Sequence, residues 1–289
     1  MIDHYVVAAT VHEAVGALAA YAGKARVIAG GTDLMIQLQA EQHPDVRVLV
    51  DVATIPEMRE IRTEDAYVVV GSAVTFAEIR RSQLIRDQAS VLHEAAGWVA
   101  SPQIRNVGTL GGNVANAQPA ADGSIALTAL GAEAEVAGRL GRRWLPMHEL
   151  FDSPGVSRVN STAEVITAFR FVGHQPHEAS AFERLARRKA VALPLINVGV
   201  WVRLDGDQVS DARVAIGPAA PVPFRACGAE EVLKGREATA EAIDDTANQA
   251  MAESNPRSSL LRAGRPYRKE LVRVLTRRAL ERAVEKAGG

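Results

Sequence analysis

The chain has 289 residues, 47% of them apolar, with 33 Lys and Arg against 34 Asp and Glu for a formal net charge of −1. That length suffices for one large core or two modest ones, and the near-neutral balance excludes a disordered chain and gives no electrostatic reason to bind a polyanion. A single cysteine, Cys227, excludes an intrachain disulfide and any iron–sulfur cluster held by four thiolates of this chain.

Cys227 itself reads as a buried small apolar side chain rather than a nucleophile. The basic pairs Arg80-Arg81, Arg142-Arg143 and Arg187-Arg188 are scattered, which argues against a nucleic-acid face. No apolar run reaches membrane length, and the opening Met-Ile-Asp-His lacks the charged and apolar regions of a leader, so a cytoplasmic location is expected.

Thr10-x-x-Glu13 predicts a capping box that opens a helix over residues 11–22. The strand-like run Arg26-Val27-Ile28 then meets the turn Ala29-Gly30-Gly31-Thr32-Asp33, and a helix begins at Leu34 with Thr32 or Asp33 as its cap. A strand over residues 46–52 closes this unit near Pro56. Two strands follow, over residues 58–63 and 66–71. Thr75-x-x-Glu78 marks another helix start, and a further helix covers residues 85–97.

Residues 104–122 hold a second glycine turn, and residues 124–131 read as a buried helix. Runs over 133–137, 142–145 and 165–172 alternate or carry β-branched residues, as strands do. The polar loop 173–178 is the expected domain boundary. Beyond it, strands are expected over 179–186, 197–204 and 209–216, the last two joined at Asp205-Gly206-Asp207 as a hairpin. Helices are expected over 229–234, 239–252 and 266–286.

The two glycine turns carry the chemistry. Adjacent glycines, Gly30-Gly31 and Gly111-Gly112, open backbone conformations closed to other residues and leave no Cβ to hold a ligand away. Successive N–H groups in such turns make a nest for phosphate oxygens, and Thr109 and Asn113 add a hydroxyl and an amide. Taken alone, the second turn fits a tight connection between packed segments equally well. Two such turns in one chain suit a ligand with two phosphates. Neither the G-x-G-x-x-G nor the G-x-x-x-x-G-K-[ST] pattern accounts for them. His174 and His177 form an H-x-x-H pair on a polar loop, without the further ligands that a zinc site needs. No G-x-S-x-G elbow or Cys-His pair suggests a hydrolase.

Val27-Ile28-Ala29-Gly30-Gly31-Thr32-Asp33-Leu34, followed by Ile104-Arg105-Asn106-Val107-Gly108-Thr109-Leu110-Gly111-Gly112-Asn113, closely resembles the FAD-binding medium subunit of the molybdenum hydroxylases. That family includes xanthine dehydrogenase and carbon monoxide dehydrogenase. The resemblance extends over nearly the whole chain, through Val70-Gly71-Ser72-Ala73-Val74-Thr75, Phe182-Glu183-Arg184-Leu185-Ala186-Arg187-Arg188, Ile216-Gly217-Pro218-Ala219-Ala220 and Tyr267-Arg268-Lys269-Glu270-Leu271.

The resemblance implies an α+β chain. A PCMH-type FAD-binding fold of two α/β subdomains, at about 1–56 and 57–175, would precede a C-terminal domain, 176–289, of a small antiparallel sheet plus helices. Residues 29–34 and 109–113 would embrace the FAD pyrophosphate with backbone N–H groups, and Val27 and Ile28 would lead into the first turn. Asp122 would contact ribose or ribityl hydroxyls, with helix capping as its competing role. Ser101, Ile104 and Val107 would line the approach to the ring system, and Arg184 could contact the cofactor as a cation. Where many relatives place a polar or aromatic residue over the isoalloxazine, this chain reads Lys189-Ala190-Val191-Ala192-Leu193-Pro194. Leu193 or a neighbour would cover the ring there, or leave a face open.

The implied role is electron transfer. A large partner would hold the molybdenum cofactor, and a small partner two [2Fe–2S] clusters, in a heterotrimer or its dimer. Electrons would leave this chain for NAD⁺, a quinone or another acceptor. Two other readings compete with it. A self-sufficient FAD-dependent dehydrogenase or oxidase needs a polar pocket beside the flavin, which residues 190–196 do not offer. A non-catalytic interaction subunit would have no reason to keep both glycine turns bare.

Overall fold

The computed structural model of the protein describes residues 2–188, 191–259 and 263–289. β1 (His4–Val7), β2 (Ala25–Ile28) and β3 (Val48–Asp51) form a parallel sheet in the order β1-β3-β2. The middle strand β3 alternates between two cores. Val48 and Val50 pack with Val11, Ala14 and Leu18 of α1 (Val11–Ala20), whereas Leu49 packs with Ile28, Leu34 and Leu38 on the opposite face, where α2 (Leu34–Gln39) lies. The expected box at α1 forms in shifted register: Thr10 Oγ1 accepts from Glu13 N–H at 3.1 Å, and the Glu13 carboxylate accepts from Ala9 N–H at 2.8 Å. The helix stops short of residue 22 because Ala22 and Gly23 take φ of 37° and 83°. β1 lies outside the predicted elements, since its Tyr5 and Val7 are exposed on an edge strand and give no alternation.

Five antiparallel strands make the second sheet: β4 (Ile61–Glu64), β5 (Tyr67–Gly71), β6 (Glu133–Gly138), β7 (Gly141–Pro146) and, after a short ribbon of β8 (Phe151–Ser153) and β9 (Val156–Ser157), β10 (Val165–Val172). Their order is β4-β5-β10-β6-β7. The strand expected over 58–63 starts only at Ile61, because Pro56–Arg59 forms a 3-10 turn that buries Met58. Gly71 packs so closely on that turn that a Cβ would stand 2.2 Å from Met58 O.

Helices α3 (Phe76–Arg81), α4 (Gln83–Gln88), α5 (Ser90–Trp98), α6 (Pro102–Arg105), α7 (Leu110–Ala115) and α8 (Asp122–Ala129) cover this sheet. Thr75 and Glu78 complete the full capping box of α3. The single helix expected over 85–97 is two, broken where Ala89 takes φ −159°, ψ 57°.

The C-terminal sheet is β11 (Glu178–Ala186), β12 (Pro194–Asp205), β13 (Gln208–Gly217) and β14 (Phe224–Arg225), antiparallel in that order. Its helices are α9 (Cys227–Leu233), α10 (Ala240–Glu253) and α11 (Arg265–Ala287). β12 is buried on both faces. Ile196, Val198, Val200 and Val202 join the core that α9, α10 and α11 cover, whereas Gly199 meets Ala129 of α8 and Val91 of α5. Glu94 on α5 ties the layers further, accepting from Phe182 N–H, Arg282 and Lys286. Cys227, expected to be buried, is exposed. α9 turns Ala229, Glu230 and Leu233 inward and leaves its first residue outside. Among the described residues, no helix is long and apolar enough to cross a membrane.

Of the expected histidine pair, His177 takes φ 64° in a turn, while His174 turns inward between β10 and β11. Burial, with Lys286 nearby, lowers the His174 pKa from 6.5 to about 4. A folded pKa below the unfolded one means the unfolded chain binds the extra proton first. The stability from neutral His174 is therefore complete above pH 6.5 and is lost as pH falls towards 4. Urea unfolding at pH 7 and pH 5 should show a loss of about 2 kcal/mol from this group, absent in His174→Gln. An equal loss in both proteins would assign the pH dependence elsewhere.

Candidate functional site

An open cleft of about 380 Å³ lies where the parallel sheet meets the helical segments before and after the second glycine turn. One wall is β2, the turn after it and α2; a second is residues 99–116; a third is the loop into β10, with Val159, Ser161, Glu164 and Val165. The third wall follows no predicted motif. Its signal in the sequence is the polar turn Asn160-Ser161-Thr162, whose Ser161 carbonyl accepts from Val27 N–H at 3.1 Å and extends the edge of β2.

The first glycine turn presents a row of donors. None of the backbone N–H groups of residues 29–34 donates to a protein acceptor among the described residues. Gly31 takes φ 66°, and Asp33 stands at the helix cap position without making a capping bond. The expected Thr32 or Asp33 cap is thus not formed; the Thr32 hydroxyl instead donates to Asp33 Oδ2 at 3.4 Å. Successive unsatisfied N–H groups around a left-handed residue form an anion-binding concavity.

The second turn differs from expectation. Its N–H groups are taken by the protein: Leu110 donates to Val74 O at 3.0 Å, Gly111 to Ser72 O at 2.8 Å, Gly112 to Thr109 Oγ1 at 3.1 Å and Asn113 to Thr109 O at 3.1 Å. Gly111 is bare for packing rather than for a ligand, because a Cβ there would stand 2.6 Å from Ser72 Cβ. At Gly112 a Cβ would meet only the Thr109 hydroxyl, at 3.1 Å. This turn therefore contributes open surface to the cleft, while the first supplies the backbone donors. The two are pressed together, since a Cβ on Gly30 would lie 2.0 Å from Val107 O.

The charged side chains lining the cleft are Arg26, Asp33 and Glu164, the last paired with Arg143 at 2.7 Å. Arg26 forms no ion pair among the described residues. Burial lowers its pKa, yet a guanidinium stays protonated in proteins. Arg26 Nη1 lies 3.1 Å from His43 Nδ1, and His43 Nε2 lies 3.1 Å from Gln37 Oε1. Arg26 can only donate, so Nδ1 accepts and Nε2 carries the proton, a tautomer assigned from the network. Burial, then the Arg26 charge, lowers the His43 pKa and favours this neutral form. Gln37 Nε2 in turn donates to Asn116 Oδ1 at 3.1 Å, so the chain of bonds runs from β2 through α2 to the end of α7.

Of the residues singled out from sequence, Val27 through Leu34, Ile104, Thr109 and Gly111 through Asn113 line the cleft. Ser101, Val107, Asp122, Arg184 and Leu193 do not. Ser101 caps α6, accepting from Ile104 N–H at 3.3 Å. Val107 exposes its side chain and turns its carbonyl to Gly30. Leu193 is exposed; Lys189 and Ala190 of the same loop lie outside the described residues. Asp122 and Arg184 sit together, with side chains 7% and 4% exposed and Nε to Oδ1 at 3.1 Å. Asn197 Nδ2 also donates to Asp122 Oδ1, at 2.6 Å. Asp122 makes no capping bond, since Ala121 occupies the cap position of α8. Burial pushes its carboxyl up, opposed by Arg184 and Asn197. Arg184 also bonds Ala192 O and lies 5.6 Å over the Trp98 ring.

Two outcomes follow for stability. Gly111→Ala should lower apo-protein stability by about 1–3 kcal/mol through overpacking on Ser72, and Gly112→Ala should cost less than about 1 kcal/mol. Asp122→Ala strands a buried guanidinium and should cost about 3–5 kcal/mol. Chemical denaturation of the three variants measures both, and equal costs for the two glycines would refute their different packing roles.

The comparisons with known proteins agree with this geometry. Residues 1–171 match the family of the FAD binding domain in molybdopterin dehydrogenase, and residues 180–283 match the CO dehydrogenase flavoprotein C-terminal domain. The chain is 33% identical over 285 residues to the xanthine dehydrogenase FAD-binding subunit of Escherichia coli O157:H7, covering 98% of this chain and 96% of that one. It is 35% identical over 242 residues to the nicotinate dehydrogenase FAD-subunit of Eubacterium barkeri, covering 82% and 81%. A solved structure of carbon monoxide dehydrogenase from Hydrogenophaga pseudoflava superposes with a TM-score of 0.93 at 29% identity, covering 99% of this chain and 98% of that one. With both domain families in sequence and relatives spanning its full length, the chain belongs to the FAD-binding medium subunits of the molybdenum hydroxylases.

Proposed function

We propose that this chain carries FAD in the cleft and passes electrons between clusters on a partner and an external acceptor. The observation that carries the reading is the row of unsatisfied N–H groups over residues 29–34, beside the unpaired cation Arg26. Diphosphate oxygens accept hydrogen bonds and carry negative charge, so that combination fits the pyrophosphate of FAD. Gly112, open to the cleft, allows close approach from the other side, with Thr109 and Asn113 flanking it. Bound FAD supplies the redox chemistry, taking electrons singly and releasing them to a one- or two-electron acceptor. The protein supplies position, shielding, backbone donors and the guanidinium of Arg26.

Asp122 and Arg184 act in this proposal as a buried support behind α8, with contact to the cofactor's hydroxyls as the role expected from resemblance. Ser101 orders the α6 turn that carries Ile104, and Val107 and Leu193 flank the approach to the ring. The proposed division of the chain is about 1–56, 57–175 and 176–289. It is supported by the separate cores around α1, around α5 with α8, and around α11.

The partners follow from chemistry. One cysteine cannot ligate a cluster, so the electrons must come from another chain. The partners proposed are a small subunit with two [2Fe–2S] clusters and a large molybdopterin-binding subunit, in a heterotrimer or its dimer in the cytoplasm. The acceptor is NAD⁺, a quinone or another oxidant.

The purified chain should be yellow and release FAD, not FMN, on denaturation, as absorbance and chromatography would read. Gly112→Val should lower flavin content at least tenfold while thermal melting stays close to wild type, because its Cβ points to ligand space. Normal flavin content in that variant would remove the second turn from the site. Affinity purification from the native host should bring down an iron–sulfur chain and a molybdenum chain. A solitary chain that turns over an organic substrate would instead favour a self-sufficient enzyme.

A further inference from the structure

A second pocket, of about 290 Å³, backs onto the flavin cleft and has no place in the function so far. Arg80, Arg81 and Arg105 line it, with Asn106, Ala77, Gly97 and Pro102, and no carboxylate does. The two sites share a wall. The single turn of α6 gives Ile104 to the cleft and Pro102 and Arg105 to the pocket.

The three guanidiniums are anchored yet not neutralised. Arg80 Nη1 donates to His93 O at 3.2 Å, and its Nε lies 3.2 Å from where a Gly97 Cβ would stand. Arg81 Nε donates to Ala77 O at 3.1 Å within its own helix. Arg105 Nη1 donates to Val99 O at 2.7 Å and Ala100 O at 3.2 Å. None of the three forms an ion pair among the described residues, whereas Arg59, Arg142, Arg143 and Arg282 all close onto carboxylates. The acid that feels Arg81 is Glu78, and it is already held by Arg59 and by both donors of Thr75. Each guanidinium keeps N–H groups in hand, and like charges gathered in one pocket repel unless an anion joins them. Guanidinium forks bind carboxylate and phosphate alike, and three of them lining one pocket favour an anion with several oxygens and more than one charge.

We propose that this pocket binds the diphosphate of a small soluble ligand that approaches the flavin from outside. Resting on the flavin-subunit reading above, it assigns a phosphate-bearing acceptor, rather than a neutral quinone, to this chain.

The test is calorimetric titration of the FAD-loaded chain with inorganic pyrophosphate and with ADP, at about 0.15 M salt where weak surface attraction is screened. Pyrophosphate should bind, and Arg81→Gln should weaken it about tenfold, the loss expected for one charge-assisted contact. Arg81→Lys should restore part of the affinity. Arg81 is exposed and its hydrogen bond is to Ala77 O within its own helix, so its variants keep the fold, as an unchanged melting temperature would verify. Tighter binding of ADP than of pyrophosphate would identify a nucleotide as the source of the phosphates, and equal binding would identify free phosphate species. Absence of pyrophosphate binding overturns the proposal. So does a parallel loss of flavin in Arg81→Gln, which would make the pocket part of the flavin site. A chain that holds no FAD would end the flavin reading, while pyrophosphate titration of that same apo chain would still decide the pocket.

Discussion

Among the described glycines the tightest contact is that of Gly30 with the carbonyl of Val107, where a Cβ would stand 2.0 Å from oxygen. It joins the turn after β2 to the turn before α7, and so seats the parallel sheet against the helical layer that covers the five-stranded sheet. The cleft exists because these two backbones touch at one point and diverge on either side. Residues 29–34 then carry unsatisfied donors on one wall, while Gly112 stays open on the other. A side chain at position 30 would push the walls apart and dilute both features. The glycine serves the architecture first and the ligand through it.

Rigidity behind the cleft comes from polar ties between layers, one buried and one partly exposed. Asp122 at the start of α8 meets Arg184 of β11 and Asn197 of β12. Glu94 of α5 meets Arg282 and Lys286 of α11. A buried pair adds little net stability over apolar packing but makes loss of one partner expensive. Its value here is registry: it fixes the C-terminal sheet on α5 and α8, the helices that stand behind the second glycine turn. Gly199, in van der Waals reach of Ala129 and Val91, lets the sheet approach that layer closely.

The electrostatics of the two cavities share one logic. Arg26 in the cleft and Arg80, Arg81 and Arg105 in the pocket beyond it lack carboxylate partners among the described residues, in a chain whose other arginines are widely paired and whose net charge is −1. In the second pocket, which no carboxylate lines, the gathering of cations arises from placement rather than from composition. No general acid or base is needed at such a site, because a flavin brings its own reactivity.

Much of the fold was legible in the chain. The capping pairs Thr10/Glu13 and Thr75/Glu78, the apolar and β-branched runs of β10 to β13 and the long helix α11 all carry local signals, and the structure realises each of them. The two glycine turns, read together, pointed to the family and to the cleft. What the sequence could not decide were features set by partners distant along the chain. β1 is an edge strand held by Val48 to Asp51, and the strand expected at Met58 gave way to a turn that packs on Gly71. The exposure of Cys227 follows from which side of α9 meets the core.

The division of labour between the glycine turns shows the same limit most sharply. In sequence they look alike, two adjacent glycines beside a threonine, although Gly30-Gly31 precede α2 and Gly111-Gly112 lie in the first turn of α7. Only the tertiary structure decided that Val74 and Ser72 take up the N–H groups of Leu110 and Gly111 while those of the first turn face the cleft. A donor's availability depends on which acceptors the rest of the chain brings within hydrogen-bonding distance, and that is settled by packing, not by the residues of the turn.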